Sequence, residues 1–372
     1  MYTVDDLVKI AKRDKNKKRS YLFVNPLQGK HIPADPIKVD DLCAYLASVI
    51  DADFKEKKKY VVGFAETATG VSAAVCQHMS NVLFFEQTTR EYSRKKEYIF
   101  FTESHSHAKE QLLDKCGLEV AVEETEIIIL IDDEITTGNT VCKLIDQIKD
   151  NYKYKGQFII ASLVNSMTDE RIEELKELGI ECRYVLRIPH EYKAELAESI
   201  DEKENSDELY SLENIALSYK TVNLKSNPRT LVSWMDYRDD MFKMAEYITL
   251  DCGAQPEESV CIVGTEEFMY LTICLGEHLL DNNYVKFVRI HSTTRSPIVP
   301  SSQEGYPLNT RYKLNSFYSE KRKTYIYNIN KYDRVIVVTD GSCKGKGFQS
   351  LLSALRFVGN DTISVYRCRY EK

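Results

Sequence analysis

The chain has 372 residues, 43% of them apolar, and a formal net charge of −7 at pH 7. This length is too great for one ordinary domain and suits two, each with a core of its own. The acidic balance excludes a general attraction to nucleic acid or acidic membranes, so we interpret the one basic run, residues 12–19, as a solvated surface.

The cysteines and the apolar runs indicate in which cellular compartment the protein is located. None of the ten cysteines forms a Cys-x-x-Cys pair, which is typical of reduced thiols rather than of a zinc or disulfide framework. The N-terminus is charged by Asp5, unlike a signal peptide, and no run approaches the roughly 20 apolar residues of a membrane span. We therefore expect a soluble, cytoplasmic protein with no membrane partner.

Short apolar runs alternate with helical spacing along both halves of the chain. In the first half the runs lie at residues 60–64, 81–85, 98–101, 126–131, 158–164 and 182–188. After the acidic segment 191–209, a surface hairpin or a linker, a second series lies at 260–263, 285–290 and 334–338. This alternation predicts an α/β protein with mainly parallel sheets flanked by helices. We predict two domains, residues 1–220 and 221–372.

The end of the fourth run carries the clearest chemistry. Asp132 and Asp133 follow five apolar residues, at the end of a strand where open α/β sheets bind ligands. A tight turn that opens a helix comes next, formed by Thr136, Thr137, Gly138, Asn139 and Thr140. The N–H groups of a helix start suit a phosphate, and paired carboxylates suit vicinal sugar hydroxyls. For either half alone the simpler interpretation is favoured: the acids end a strand, or a threonine caps a helix.

As a whole, residues 126–140 resemble the phosphoribosyl-pyrophosphate motif of type I phosphoribosyltransferases. The resemblance implies that fold for the first domain, with Asp132 and Asp133 on the ribose hydroxyls and residues 136–140 on the 5′-phosphate. It also implies Mg²⁺ as cofactor, held mainly through the activated sugar. Thr136 stands where 6-oxopurine enzymes carry a catalytic Asp, so we do not expect hypoxanthine or guanine as substrate.

A second strand–loop–helix lies upstream, at residues 61–70. Its small residues let backbone N–H groups close on an anion. The resemblance makes it the pyrophosphate loop, formed by Ala65, Glu66, Thr67, Ala68, Thr69 and Gly70. Arg90, which follows an apolar run, is a candidate to clamp phosphate oxygens and a third catalytic residue beside the two acids.

Four further residues are candidates for substrate contacts. Lys30 and His31 lie in a stretch that resembles the hood over the base in orotate-type enzymes; the alternative is that they are exposed loop residues without a role. His105 and His107 either face the substrate or form a metal pair, although no Cys or carboxylate partner accompanies them.

The second half echoes the first. The matching segments are 263–267 with 62–66, 293–295 with 88–90, and 335–340 with 127–132. The second acid and the Thr-Gly-x-Thr turn are absent from the later copy, because Gly341 follows Asp340. We infer a degenerate phosphoribosyltransferase-like domain, the alternative being a generic repeat of α/β architecture. Its candidate site residues are Glu267, Arg295, Asp340 and Lys346.

Residues 294–297 read Thr-Arg-Ser-Pro, the signature for which the TRSP domain is named. That domain follows an orotate-phosphoribosyltransferase-like domain in proteins of bacterial tellurium-resistance and stress-response gene clusters, and the chain resembles this pair throughout. The resemblance implies an enzyme that joins phosphoribosyl pyrophosphate to a nucleobase-like acceptor, releases pyrophosphate and makes a nucleoside-like metabolite. It would act as a homodimer or with partner enzymes of the same cluster.

Two other functions fit the same residues. A regulator could keep the fold as a sensor of nucleotides or of phosphoribosyl pyrophosphate without catalysis, and the degenerate second copy suits that interpretation. A scaffold could use its second domain to dock a partner enzyme. The intact acid pair favours the enzyme.

Overall fold

The computed structural model describes residues 2–14, 20–101, 111–189, 195–203 and 216–371. The described strands are β1 (Lys9–Lys12), β2 (Tyr21–Val24), β3 (Lys59–Gly63), β4 (Val82–Gln87), β5 (Tyr98–Phe101), β6 (Gln111–Asp114), β7 (Ile127–Ile135), β8 (Gln157–Asn165), β9 (Ile180–Arg187), β10 (Ala216–Leu224), β11 (Val232–Ser233), β12 (Ser259–Thr265), β13 (Phe287–Thr293), β14 (Arg311–Asn315), β15 (Lys323–Tyr327), β16 (Arg334–Thr339) and β17 (Thr362–Tyr370). The described helices are α1 (Val4–Leu7), α2 (Pro36–Phe54), α3 (Thr69–His78), α4 (Leu118–Glu124), α5 (Asn139–Tyr152), α6 (Asp169–Glu177), α7 (Glu195–Glu198), α8 (Trp234–Asp251), α9 (Tyr270–Asp281) and α10 (Lys346–Phe357). None of these helices has the length and apolar character needed to cross a membrane.

The chain divides into two compact units, each built from three segments. Unit 1 comprises 1–4, 40–191 and 225–240, and unit 2 comprises 5–39, 192–224 and 241–372. The units are therefore discontinuous along the chain, and the domains 1–220 and 221–372 stay a prediction. The units are discontinuous because the N-terminal segment folds with unit 2, whereas residues 225–240 add strand β11 to the sheet of unit 1.

Unit 1 contains a six-stranded sheet in the order β11-β4-β3-β7-β8-β9. Its neighbours are parallel, except that the short β11 runs antiparallel to β4. Residues 127–131 of the central strand β7 are fully buried, as expected where helices cover both faces. The apolar stripe of α5, from Val141 to Ile148, packs into the same core as Ile128 and Leu130. The predicted α/β fold with a parallel sheet is confirmed.

Unit 2 contains a five-stranded, wholly parallel sheet in the order β10-β17-β16-β12-β13. Unit 1 has the corresponding order β9-β8-β7-β3-β4. Strand β7 contains the candidate acids of unit 1, and β16 leads directly into that of unit 2. Each of these strands lies beside the strand that leads into a short loop, β3 or β12. The edge strand β10 precedes the other strands of its sheet in the chain, whereas β9 follows β3, β4, β7 and β8 in its own.

A pair of backbone hydrogen bonds repeats in the same way. Thr89 and Leu112 exchange N–H···O bonds of 2.8 and 3.0 Å, which tie hairpin β5–β6 to the end of β4. Thr294 and Tyr325 exchange bonds of 2.8 and 2.7 Å, which tie hairpin β14–β15 to the end of β13. The two units therefore share a hairpin attachment as well as a strand order.

A buried ion pair closes the amino end of the unit 1 sheet. The side chain of Lys59 is 0% exposed, and its Nζ lies 3.2 Å from a carboxylate oxygen of Asp51. Asp51 also accepts the N–H of Ser80 at 2.7 Å.

We expect Asp51→Ala to destabilise unit 1 by about 3 kcal/mol, because a buried charge left without its partner is costly. Glu126→Ala, which removes the exposed Lys57–Glu126 pair, is the control and should cost less than about 1 kcal/mol. Urea denaturation measures both, and equal losses would contradict the assignment.

Candidate active site

The two adjacent acids lie at the carboxyl end of β7. This strand continues to Ile135, so Asp132 and Asp133 lie within it and are half-buried. Asp132 is in register with Ser162 of β8, and its Oδ1 accepts the N–H of Asp133 at 2.9 Å. Two carboxylates therefore face the edge of the sheet at which parallel strands end.

A tight turn follows, and Gly138 is the residue that permits it. Its φ is +71°, and a Cβ added there would lie 2.9 Å from Sδ of Met167. A side chain is thus disfavoured by both conformation and space. Gly138 is also the N-cap of α5 and offers no capping side chain. The first N–H groups of this 14-residue helix are the kind of donors that bind a phosphate.

The loop between β3 and α3 lies beside the acids. Phe64 donates its N–H to the carbonyl of Ile131 at 2.9 Å, which fixes the loop to β7. Ala65 donates to Oγ1 of Thr88 at 2.8 Å, and the amide of Gln111 donates to the Ala65 carbonyl at 2.6 Å. The peptide bond between Ala65 and Glu66 is cis. The remaining loop residues follow directly: Thr67, Ala68, Thr69 and Gly70.

One hydrogen bond joins this loop to the acid pair. Oγ1 of Thr67 donates to Oδ1 of Asp133 at 2.6 Å. The loop and the acids were separate predictions from the sequence, 66 residues apart at this contact, and the structure brings them together. Glu66, on the same loop, is 7% exposed.

Sequence reasoning missed Gln111, although it supports the loop from two sides. Its Oε1 accepts from Oγ1 of Thr88 at 2.9 Å, in addition to its bond with Ala65. A single glutamine at the start of β6 gives no motif, so nothing in the sequence marked it. Arg90 lies two residues after Thr88 and is half-buried. Its role on phosphate oxygens stays a prediction.

Four predicted substrate residues are not among the described residues of unit 1. His105 and His107 fall outside the described residues. Lys30 and His31 belong to unit 2, where they are 0% and 3% exposed. The ammonium of Lys30 donates to the carbonyl of Glu266, and it reaches Oγ of Ser292 at 3.3 Å. The contact of Lys30 and His31 with a substrate stays a prediction.

The four candidates in unit 2 differ in their contacts. Glu267 is 1% exposed and accepts from Nη2 of Arg295 at 3.2 Å. Asp340 directly follows β16 and accepts hydrogen bonds from the hydroxyls of Tyr318 and Tyr370. Lys346 begins α10 and is exposed. Unit 2 thus offers one acid at the strand end where unit 1 offers two.

Comparison with known proteins agrees with this geometry. Residues 7–195 match a family model described as phosphoribosyl transferase, and residues 237–355 match the TRSP domain that lies C-terminal to it. No curated protein matches the chain. Among solved structures, adenine phosphoribosyltransferase from Rhodothermus marinus is 12% identical with a TM-score of 0.36, over 50% of this chain and 96% of that one.

Orotate phosphoribosyltransferase from Mycobacterium tuberculosis is 17% identical, with a TM-score of 0.32, over 50% of this chain and 92% of that one. TM-scores this low carry no argument of their own. The family match does, because residues 7–195 are just over half of the 372 residues. Among the described residues, no group of three or more His, Cys, Asp or Glu side chains is arranged to hold a metal ion. The chain therefore belongs to the phosphoribosyl transferase family and carries a TRSP domain after its family domain.

Proposed function

We propose that the protein is a phosphoribosyltransferase that uses phosphoribosyl pyrophosphate to ribosylate a nucleobase-like acceptor, with release of pyrophosphate. The observation that carries the proposal is the bond between Thr67 and Asp133, 2.6 Å long. It joins the loop after β3 to the acids at the end of β7, which supports the proposal that the diphosphate donors and the diol acceptors would belong to one site.

The sugar phosphate would lie across the end of β7. Asp132 and Asp133 accept hydrogen bonds from the ribose 2′- and 3′-hydroxyls, as neighbouring carboxylates do well. The 5′-phosphate takes the N–H groups that open α5 and the hydroxyls around them, from Thr136 to Thr140. The exposed Thr137 and the half-buried Thr136 and Thr140 are within this turn.

The leaving pyrophosphate would be stabilised by the loop from Ala65 to Gly70. As the bond between C1 and oxygen loosens, electrons pass to the diphosphate, and preorganised N–H groups stabilise the charge without moving. Arg90 would add a guanidinium to these donors. A ring nitrogen of the acceptor then forms the new bond to C1.

Magnesium fits this site as an ion held chiefly by the substrate. Mg²⁺ prefers oxygen ligands and retains waters, so one or two carboxylates suffice beside phosphate oxygens. Asp132 and Asp133 are the oxygen donors in place here. When bound, the ion supplies neutralisation of the diphosphate charge.

The alternative is a sensor that binds the activated sugar without turning it over. Release of pyrophosphate from phosphoribosyl pyrophosphate, measured across a panel of candidate bases with Mg²⁺, separates the two functions. Turnover with one base supports the enzyme. Tight binding without release with any base would favour the sensor.

The contact between the loop and the acids gives a specific prediction. Thr67→Val keeps the shape of the side chain and removes its bond to Asp133, so we expect kcat/KM for phosphoribosyl pyrophosphate to fall roughly 10- to 100-fold. Thr125→Val is the matched control. It removes a buried hydroxyl that donates to Ala121 at 2.6 Å, at the other end of β7. Equal kinetics for the two variants would contradict the proposed site.

A further inference from the structure

Unit 2 repeats the loop that unit 1 uses in the proposed site. In unit 1 the N–H of Ala65 donates to Oγ1 of Thr88 at 2.8 Å. In unit 2 the N–H of Glu266 donates to Oγ1 of Thr293 at 3.1 Å. In both, the donor lies two residues after the glycine that ends or nearly ends the strand, Gly63 in β3 and Gly264 in β12.

The carbonyl of the same residue is also held in both units. The amide of Gln111 donates to the carbonyl of Ala65, and the ammonium of Lys30 donates to the carbonyl of Glu266. Glu266 therefore stands where unit 1 has Ala65. A carboxylate projects from the position at which the loop of unit 1 carries only a methyl group.

The carboxylate of Glu266 is buried and accepts four hydrogen bonds. Glu266 is 0% exposed. Its Oε1 accepts from Oγ of Ser316 at 2.6 Å and from the N–H of Phe317 at 3.2 Å. Its Oε2 accepts from Nε of Arg295 at 2.9 Å and from Nη1 of Arg322 at 3.1 Å. Four donors around two oxygens fill the hydrogen-bonding capacity of a carboxylate.

The balance of charge explains why an anion is needed there. The side chains of Arg295 and Arg322 are 9% and 11% exposed, and Lys30 is 0% exposed. Two carboxylates, Glu266 and Glu267, lie among these three cations. Removing one partner of a buried ion pair leaves a charge without compensation, which is strongly unfavourable. The two arginines thus form a cationic site that must hold an anion.

The backbone of Glu266 supports the same view. Its φ is +50°, a conformation that residues other than glycine seldom adopt. Such a residue persists where the surroundings hold it in place, and here the side chain supplies that hold through Arg295, Arg322 and Ser316.

We propose that Arg295 and Arg322 form a site for a phosphate-class anion, and that the carboxylate of Glu266 permanently occupies it. Unit 2 is then a copy that supplies its own anion and does not take up phosphoribosyl pyrophosphate at this loop. Removing the carboxylate should uncover the site to free phosphate or pyrophosphate. This inference does not rest on the function proposed for unit 1.

The test compares anion binding by the full chain and by Glu266→Ala. We expect titration calorimetry with inorganic phosphate and with pyrophosphate to show one more site per chain in the variant. The melting temperature of the variant should rise by roughly 5 °C at an anion concentration about 100 times Kd, beyond any rise in the unaltered chain. Sites in unit 1 are common to both proteins and cancel in the difference, so failure of the proposed function would leave this comparison intact.

Glu258→Ala is the matched control. Glu258 binds Arg334 through both oxygens, at 2.8 and 3.1 Å, but it lies at the amino end of β12 and its side chain is 21% exposed. Its removal should create no new site. The double variant Glu266→Ala with Arg295→Met should lose the site that the single variant gains. Should Glu266→Ala aggregate, Glu266→Asp retracts the carboxylate by one methylene and should show a smaller gain in the same assay.

Two results would overturn the inference. One is an equal response to phosphate in the unaltered chain and the Glu266 variants. The other comes from crystals of the unaltered protein soaked with phosphoribosyl pyrophosphate and Mg²⁺. Density for phosphate at Arg295 and Arg322, with Glu266 displaced, would show that the carboxylate is not a permanent occupant.

Discussion

Replacing both Asp132 and Asp133 with asparagine is expected to lower pyrophosphate release by roughly 1000-fold or more, while the protein stays folded. Each charged contact that is realised in the transition state contributes about 2–4 kcal/mol, or roughly 30- to 1000-fold in rate. Asparagine keeps the size of the side chain but loses the charge that the ribose hydroxyls would meet. Both aspartates are half-buried, so the loss should fall on turnover rather than on stability.

The control makes the same change of charge elsewhere in unit 1. Asp146 and Asp150 lie on the exposed face of α5, and their double replacement with asparagine should leave release within about twofold. Circular dichroism melts on both double variants check that each is folded. Turnover that survives the loss of Asp132 and Asp133 would refute the proposed roles of the two acids.

Gly63→Ala is expected to cost about 3 kcal/mol of stability and to abolish most activity. A Cβ at this position would lie 1.9 Å from Oγ and 2.7 Å from Cβ of Ser72. Overpacking of this kind typically costs about 1–3 kcal/mol, since backbone or side chain must shift. Gly63 ends β3 directly before the loop that begins at Phe64, so the displacement reaches the proposed pyrophosphate site.

A compensating change tests that explanation. Adding Ser72→Gly to Gly63→Ala removes the clash and should recover part of both stability and activity. Gly345→Ala is the control, because a Cβ there meets no atom within 4 Å, and it should cost less than about 1 kcal/mol. Urea denaturation and pyrophosphate release measure the set. A harmless Gly63→Ala would mean that helix α3 and strand β3 are not packed this closely.

The sequence predicts the elements that local patterns determine. Five apolar residues before Asp132 identify the buried β7, and the spacing from Val141 to Ile148 identifies the face of α5 that packs on it. The strand nevertheless extends four residues beyond the apolar run, to Ile135, because backbone pairing with β8 continues past the buried segment. Hydrophobicity therefore identifies the buried residues of a strand, and it does not identify the residue at which backbone pairing ends.

Contacts between distant segments could not be predicted in this way. Lys30 is fully buried against Glu266, 236 residues away, although its own loop resembles an exposed hood. Gln111 could not be predicted for the same reason, because it and its partner Ala65 are 46 residues apart in the sequence. Periodicity and composition describe only residues that are close in the sequence. The partners of a buried polar side chain are therefore known only once the fold is known.

The central claim is that unit 1 binds phosphoribosyl pyrophosphate through Asp132 and Asp133. A direct measurement of binding tests this claim best. Titration calorimetry of the full chain with phosphoribosyl pyrophosphate and Mg²⁺ should give one site per chain, and the Asp132→Asn, Asp133→Asn variant should lose most of that heat. Absence of heat from the unaltered protein, or the same heat from both proteins, would contradict a ribose held by these two aspartates.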